Sequence, residues 1–323
     1  MEFVDLLSWV FIAVGAAALY LGSNWLVDGS VGLALRYGVS PLVIGLTIVA
    51  LGSSSPEAIL AFVTSLEGSN QLSLGNVIGA NISNATLVLG VACLLHPLAM
   101  KLSRLWRESI FLLLSGPLLA LLALDGHLDL ADGVIMFAFL IAFFYMLYSV
   151  SRRGSRCAVV EEERELVEEI KHRSPHHIVM LILAGAALLA LGAQAVIEGA
   201  SSLARALGVG NELIGLTLVA IGTTIPELTI AIAASRKGQA EVIMGNAVGT
   251  IIVNTLFVLG IGALVAGFDT SEASTWVGMG FMIMFSTFLV FLLTVMNRAK
   301  RRTGALMLSM FGIYLAVIVL FFG

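Results

Sequence analysis

Two glutamates in this sequence are each preceded by the same pattern of small, hydroxyl-bearing and helix-breaking residues. The stretch from Gly45 to Glu57 is identical to the stretch from Gly215 to Glu227 at 8 of 13 positions. Both glutamates fall inside long apolar segments, where an ionisable side chain is costly and marks a functional site. Neither those segments nor any other predicted span contains Lys or Arg away from its ends. Two carboxylates that face each other therefore need a cation between them, or one of them must be protonated.

The residues just before each glutamate favour a cation. Pro56 and Pro226 lack a backbone donor and obstruct the carbonyl four residues earlier, while Gly52 and Gly222 let the chain leave helical geometry. Carbonyls freed in this way can bind hard cations where they line a cavity. A plain kink is the alternative for either copy alone. The hydroxyl oxygens on the same turns belong to Ser53, Ser54, Thr223 and Thr224.

Each glutamate is followed by three residues at intervals of four, most of them polar, and this spacing places the three on one face of a helix. Amide and hydroxyl oxygens there could complete the ligand shell of Ca²⁺, which prefers oxygen, whereas transition metals prefer His or Cys. The alternative is that the Gly and small residues around them only allow close helix packing. The first set is Asn76, Ala80 and Asn84, and the second is Asn246, Thr250 and Asn254.

Composition indicates a membrane as the solvent for these segments. Of 323 residues, 59% are hydrophobic and 12% are charged, and the mean hydropathy is +1.02, so the fold class predicted is an all-α polytopic membrane protein. Nucleic-acid binding has no support, and Cys93 and Cys157 form no metal or disulfide pattern. The apolar run from Ser8 is interpreted as a retained first helix rather than a cleaved signal. Ten spans are predicted, at about 8–36, 40–66, 71–95, 106–124, 128–150, 176–205, 211–235, 240–266, 273–297 and 303–322.

The positive charges predict how these spans are oriented. Connections after odd-numbered spans carry 16 of the 17 Lys and Arg residues, with only Arg205 on the other side. Cytoplasmic loops are enriched in Lys and Arg, so both termini are predicted to lie outside. Five spans in each half make the two repeats inverted, an architecture that many secondary transporters share. The predicted parts are a first repeat at 1–150, a cytoplasmic loop at 151–175 and a second repeat at 176–323.

The two motifs resemble the alpha repeats of the cation/calcium exchanger superfamily, in particular its prokaryotic sodium/calcium exchanger branch. That branch is marked by Gly-Thr-Ser-x-Pro-Glu/Asp followed by Gly-Asn-x-x-Gly-Ser-Asn. The resemblance implies a Ca²⁺ site between Glu57 and Glu227, to which Ser53 and Thr223 contribute, and it implies sliding of the first and sixth spans. It also implies Na⁺ sites formed by Ser54, Thr224, Thr250, the carbonyls of Ala50 and Ala220, and Asn84 with Asn254.

The chain departs from this family pattern at two positions. Ala80 replaces the Ser that such exchangers carry as the partner of Thr250, which leaves the ion ratio open. Asn254 stands where potassium-dependent relatives have Asp, which argues against K⁺ co-transport. Asp28 and Glu198, which the repeat also pairs, are interpreted as vestibule or gating charges.

We therefore expect a secondary antiporter of the cell (inner) membrane, a monomer without cofactor, that exchanges Ca²⁺ for Na⁺. Proton-coupled exchange, with both carboxylates protonated in place of Na⁺, is the alternative within transport. A channel is a second alternative, and a membrane enzyme is disfavoured because the spans hold no nucleophile and base pair. His176 and His177 beside Pro175 are interpreted as a solvated helix start rather than a metal pair.

Overall fold

Long apolar helices make up most of the chain in the computed structural model, which describes residues 2–66, 70–99, 105–153, 174–206, 222–295 and 298–322. The helices lie close to the predicted spans, although α1 begins several residues earlier than predicted. They are α1 (Glu2–Tyr37), α2 (Pro41–Ser53), α3 (Ser55–Leu66), α4 (Asn70–Ser83, then Asn84–Val88 and Leu89–Leu95), α5 (Trp106–Leu122), α6 (Leu130–Arg153), α7 (Pro175–Ala206), α8 (Ile225–Arg236), α9 (Ala240–Val253, then Asn254–Val258 and Leu259–Val265), α10 (Ala273–Val295) and α11 (Arg301–Phe322).

Eight helices in the described part of the chain are long and apolar enough to cross a membrane. The pair α2 and α3 counts as a ninth span if it is taken together, with a bend of 42° between its halves. Of the predicted seventh span, 211–235, only the part from 222 onward falls within the described residues, and it includes α8. The predicted loop at 151–175, with its short solvated helix, lies largely outside them.

In the described part of the chain, three helices contain a π-helical turn, in which one extra residue widens the helix. These turns are Gly45–Val49 in α2, Asn84–Val88 in α4 and Asn254–Val258 in α9. The last two are related by the same offset along the chain as Glu57 and Glu227. Because π-turns occur frequently at functional sites, their coincidence with Asn84 and Asn254 directs attention to those two side chains.

Two short antiparallel strand pairs join loops outside the helices, a detail that the all-α prediction lacked. Strand β1 (Leu98–Ala99) pairs with β4 (Arg298–Ala299), and β2 (His127–Leu128) pairs with β3 (Phe268–Asp269). Each pair therefore connects a loop of the first repeat to a loop of the second. The pairs satisfy backbone groups that would otherwise stay unbonded where the chain leaves a helix.

Helices α1 and α7 pack against each other in antiparallel orientation along a seam of glycines. Gly15 meets Gly192, and Gly22 meets Gly185, so closely that a Cβ on Gly15 would lie 2.7 Å from the carbonyl oxygen of Gly192. The glycines recur at every seventh position. Seven residues make about two helical turns, so these glycines lie on one face of each helix. Small residues allow this close approach between helices in a membrane. Its glycines are Gly15, Gly22 and Gly29 in α1 and their repeat-related counterparts Gly185, Gly192 and Gly199 in α7.

Helices α4 and α9 occupy the centre of the molecule. In each of them 78% of the apolar span is buried, against 17% in α11. The backbones of α2 and α9 approach each other closely at glycines of α9. A Cβ on Gly249 would lie 2.7 Å from the Cα of Leu46, and a Cβ on Gly245 would lie 3.0 Å from the Cα of Gly45. This contact brings the end of α2, where the first glutamate motif lies, against the polar face of α9.

Candidate ion-binding site

The first glutamate motif forms the break between α2 and α3. Helix α2 ends at Ser53, Ser54 leaves helical geometry with φ −80° and ψ 0°, and α3 starts at Ser55. Pro56 in the first turn of α3 has no N–H to donate to the carbonyl of Gly52, which is why the ladder stops here. The break was predicted from Gly52 and Pro56, and it turns the chain where the site is formed.

The second motif breaks the chain in the same way. Thr224, at φ −88° and ψ −6°, precedes α8, and Pro226 stands in its first turn. The residues before Gly222 lie outside the described part, and the predicted ligand Ala220 is among them. Ala50, its counterpart in the first motif, accepts hydrogen bonds through its carbonyl from the Ser54 N–H at 2.9 Å and the Ser53 hydroxyl at 3.3 Å. Binding of Na⁺ by the Ala50 carbonyl would therefore require the Ser53 hydroxyl to turn away.

Glu57 and Glu227 occupy the first turns of α3 and α8 and are only 2% and 1% exposed. Neither carboxylate accepts a well-aligned hydrogen bond, although Ser53 lies near Glu227, and the two carboxylates lie close enough for their charges to repel each other. The positive ends of two helix dipoles offset part of this charge. The remainder is costly, because buried charges are normally paired or bound to a metal.

Hydroxyl and amide groups link the two repeats around these carboxylates. Ser53 Oγ lies 3.3 Å from Asn246 Oδ1 and 3.2 Å from Thr250 Oγ1, and its one proton can be donated either to the Asn246 amide oxygen or to the Ala50 carbonyl. Thr223 Oγ1 donates to Asn76 Oδ1 at 3.1 Å. The Ser53–Asn246 and Thr223–Asn76 bonds are equivalent under the repeat, and each joins one half of the chain to the other.

Asn76 and Asn246 lie on the helix faces whose amide oxygens the sequence predicted as ligands, although the resemblance to the family assigned neither residue to a Ca²⁺ or Na⁺ position. They are related by the same offset along the chain as Ser53 and Thr223. Asn81 was missed in the sequence, because it has no polar counterpart in the second repeat. Its side chain donates to Thr255 Oγ1 at 2.9 Å and contacts Met282 Sδ at 3.3 Å, so it holds α4 against α9 and α10.

Four other predicted ligands are buried with polar side-chain atoms that have no hydrogen-bond partner. An amide or hydroxyl buried without a partner costs about 1–3 kcal/mol, so four of them in one region need an explanation. An ion bound by these oxygens would supply that explanation. The four residues are Ser54, Asn84, Thr224 and Asn254.

The chemistry available here is that of oxygen ligands and negative charge. Among the described residues, three acidic side chains are buried, Glu57, Glu108 and Glu227, and no basic side chain is. The described residues also contain no group of three His, Cys, Asp or Glu side chains that could hold a metal. His176 and His177 are exposed in the first turn of α7, as expected for a solvated helix start. Such a donor set suits hard cations such as Na⁺ and Ca²⁺ and gives a transition metal none of its preferred ligands.

Eight long apolar helices around a buried site of two carboxylates, hydroxyls and amides define a polytopic membrane protein of the ion-transporter class. Comparison with known proteins identifies the family. The family model described as sodium/calcium exchanger protein matches residues 7–149 and 177–320. The chain therefore belongs to the sodium/calcium exchanger family of the cation/calcium exchanger superfamily, and it is a multi-pass protein of the cell membrane.

Individual relatives agree with this assignment over nearly the whole chain. The chain is 32% identical to the putative antiporter CaxA of Alkalimonas amylolytica, over 95% of this chain and 97% of that protein. It is 27% identical to the sodium/calcium exchanger MaX1 of Methanosarcina acetivorans, over 96% and 98%. The solved structure of the sodium-calcium exchanger NCX_Mj superposes with a TM-score of 0.82 at 30% identity, covering 97% of this chain and 99% of that one.

Proposed function

We propose that this protein is a secondary antiporter that exchanges Ca²⁺ for Na⁺ by alternating access at a site between Glu57 and Glu227. The observation that carries the proposal is the pair of buried, unpartnered carboxylates that repel each other. One divalent cation neutralises both charges, and so do two monovalent cations. Competition between these two ways of filling one site is the chemical basis of exchange.

The Ca²⁺ position is proposed between the two carboxylates, with Ser53 and Thr223 beside it. Both of these residues lie at a helix break and both already contact the opposite repeat. Six to eight oxygens are needed around Ca²⁺, which two carboxylates and the surrounding hydroxyls and amides can supply. The Na⁺ positions are proposed around it, at Ser54, Thr224, Thr250, Ala50, Ala220, Asn84 and Asn254.

The strand pairs support the proposed topology of ten spans in two inverted repeats. Paired strands lie on one face of the membrane, so the chain between them crosses an even number of times. Between β2 and β3 the described spans are α6, α7 and α9, which are three. An even number requires that the predicted seventh span, of which α8 is the described part, also cross the membrane, and the pairing of β1 with β4 requires the same. Ten crossings result, with both termini on the same face, which the distribution of basic residues makes the outer one.

Alternating access is proposed to proceed by sliding of α1 and α7 past the other helices, in a transport unit of one chain. The glycine seam supports this, because it holds these two helices together as a pair. An ion pair among the described residues ties α1 to the segment after α8. Lys237 Nζ lies 2.7 Å from Asp28 Oδ1 on α1 and also donates to the carbonyl of Asn24. Glu198, the counterpart of Asp28, instead accepts from Gln194 on its own helix. We therefore assign Asp28 a gating role on the cytoplasmic face.

Asp28→Asn and Lys237→Gln are expected to change the exchange rate to the same extent, with no further change in the double variant. A partly exposed ion pair contributes up to about 1 kcal/mol, so stability should change little and the balance of access states by up to about fivefold. Exchange rates in proteoliposomes and thermal unfolding of the purified protein measure the two effects. Glu198→Gln is the matched control, with a smaller effect on rate. Additive effects of Asp28→Asn and Lys237→Gln would contradict the gating assignment.

Transport by the full-length protein in proteoliposomes tests the proposal as a whole. An outward Na⁺ gradient is expected to drive Ca²⁺ uptake at constant pH, with no uptake when choline replaces Na⁺. If a pH gradient drives Ca²⁺ uptake without Na⁺ while a Na⁺ gradient does not, the proton-coupled alternative replaces the proposal. Ca²⁺ flux that needs no counter-ion at all would instead indicate a channel.

A further inference from the structure

A buried chain of two hydrogen bonds ties the π-turn of α9 to α4. Asn81 on α4 donates from Nδ2 to Thr255 Oγ1 at 2.9 Å, and Thr255 is the residue next to Asn254 in the π-turn. Thr255 Oγ1 in turn donates to the carbonyl of Ile251 at 2.7 Å. The hydroxyl thus accepts one bond from the first repeat and donates another to its own helix, just before the π-turn begins.

Burial and proton count make this chain specific. Asn81 is 1% exposed and Thr255 is fully buried, so water does not compete for either group and the bonds are strengthened. The single proton of the Thr255 hydroxyl is used at Ile251, so this hydroxyl can only accept from α4. Asn81 must therefore turn its amide NH₂ toward it. The same NH₂ also donates to Met282 Sδ on α10 at 3.3 Å, which holds the amide in place.

The π-turn of α4 lacks the equivalent bond to the opposite repeat. Thr86 in this turn donates to the carbonyl four residues earlier in its own helix, at 2.6 Å. The offset between the repeats, however, relates Thr255 to Ala85. It relates Asn81 to Ile251, so neither side chain at the equivalent positions has a polar group. The two π-turns are thus alike in their helices but differ in how they are held from outside.

We propose that Asn81 is a positioning residue of the ion site, which acts through Thr255 to fix the π-turn of α9 and with it the side chain of Asn254. The inference rests on the proposed function, in which Asn254 is a Na⁺ ligand. Asn254 is fully buried, and its amide makes no hydrogen bond within the described part of the chain. Its orientation before an ion binds therefore depends on the backbone that carries it. A ligand held in place beforehand loses less freedom on binding, which increases affinity.

Asn81→Leu and Thr255→Val each remove one end of the bond between the repeats with little change in volume. Each is expected to raise the Na⁺ concentration for half-maximal exchange by about fivefold, the effect of one net hydrogen bond, and to leave the maximal rate unchanged. Exchange in proteoliposomes with Na⁺ varied measures both quantities. Thr255→Ser keeps the hydroxyl and should retain the Na⁺ dependence of the wild type.

Thr86→Val is the matched control for these variants. It removes the hydroxyl of the other π-turn, which donates within its own helix, and it should leave the Na⁺ dependence unchanged. An equal shift in Thr86→Val, or an unchanged Na⁺ dependence in Asn81→Leu, overturns the positioning role.

The double variant Asn81→Leu/Thr255→Val separates positioning from support of the fold alone. With both partners apolar, neither side chain of the pair is left as an unpaired polar group, so the unfolding temperature without ions should return close to that of the wild type. The Na⁺ dependence should keep the shift of a single variant, because the bond is already lost in each of them. If the Na⁺ dependence recovers together with stability, the bond supports only the fold and the proposal is wrong.

Binding measured without transport keeps this inference distinct from the function on which it rests. Na⁺ should raise the unfolding temperature of the purified wild type, and Asn81→Leu should need about fivefold more Na⁺ for the same rise. If this shift is found but the wild type shows no Na⁺-driven Ca²⁺ uptake, the antiporter is wrong and the positioning role of Asn81 stands. If Na⁺ drives Ca²⁺ uptake and Asn81→Leu matches the wild type at every Na⁺ concentration, the antiporter stands and the positioning role is wrong.

Discussion

Replacing Glu57 or Glu227 by Gln is expected to abolish Na⁺-driven Ca²⁺ uptake, with a loss of at least about 100-fold. Two opposite unit charges about 4 Å apart attract each other by about 4 kcal/mol at an effective dielectric constant of about 20. Loss of that attraction corresponds to a loss of about 1,000-fold in ion affinity. Each variant leaves one carboxylate, which cannot neutralise a divalent ion. Uptake by proteoliposomes that contain the purified variant measures the loss.

Stability provides an independent readout of the same substitutions. Without ions, Glu57→Gln and Glu227→Gln should unfold at the same temperature as the wild type or higher, because each removes a buried, unpartnered charge. The wild type should gain about 2.7 kcal/mol when Ca²⁺ is present at about 100 times its Kd, and neither variant should. Glu108→Gln is the control for a buried glutamate outside the site and should retain Ca²⁺ stabilisation. Normal exchange in either site variant would remove the central claim.

Gly185→Ala is expected to destabilise the protein and to slow exchange, although it adds a single methyl group. A Cβ at this position would lie 2.7 Å from the backbone N of Leu26 and 2.9 Å from the carbonyl oxygen of Gly22. Neither is a flexible side-chain end, so α1 and α7 must separate. Overpacking of this kind costs about 1–3 kcal/mol, and thermal unfolding of the purified protein measures it.

Gly312→Ala is the matched control for this prediction. Gly312 lies on the exposed face of α11, and an added Cβ would have no heavy atom within 4 Å. Ala is the better helix former by about 1 kcal/mol, so this variant should unfold at the same temperature or slightly higher. Equal effects at Gly185 and Gly312 would show that the seam is not a close contact.

Much of the fold was predictable because the membrane imposes simple demands on sequence. Apolar segments of sufficient length indicate the spans, and the constant offset between the two motifs relates Glu57 to Glu227 from the sequence alone. The breaks at Ser54 and Thr224 followed from Gly and Pro. Membership of the sodium/calcium exchanger family, expected from these motifs, is confirmed.

Features that depend on contact between the two halves were not predictable. Ser53 meets Asn246 because α2 and α9 approach at glycines, and nothing local in the first motif specifies that approach. Nothing local in the second motif specifies that Thr223 meets Asn76 either. The four strands are too short for any alternating pattern to reveal them. The glycine seam was visible in the sequence at every seventh position, but glycines are frequent in membrane helices, so the interval acquires meaning only once α1 and α7 are seen in contact.

The two strand pairs have a mechanical consequence. One fastens the loop after α4 to the loop after α10, and the other fastens the loop after α5 to the loop after α9. The strand pairs thus link the two repeats at both faces of the membrane. These links oppose a rigid-body rotation of one repeat against the other. Among the described helices, those without an adjoining strand are α1, α2, α3, α7 and α8. The helices that the strands link therefore form a fixed frame, and the freedom that the proposed alternating access requires is left to helices that no strand fastens, which include the pair α1 and α7.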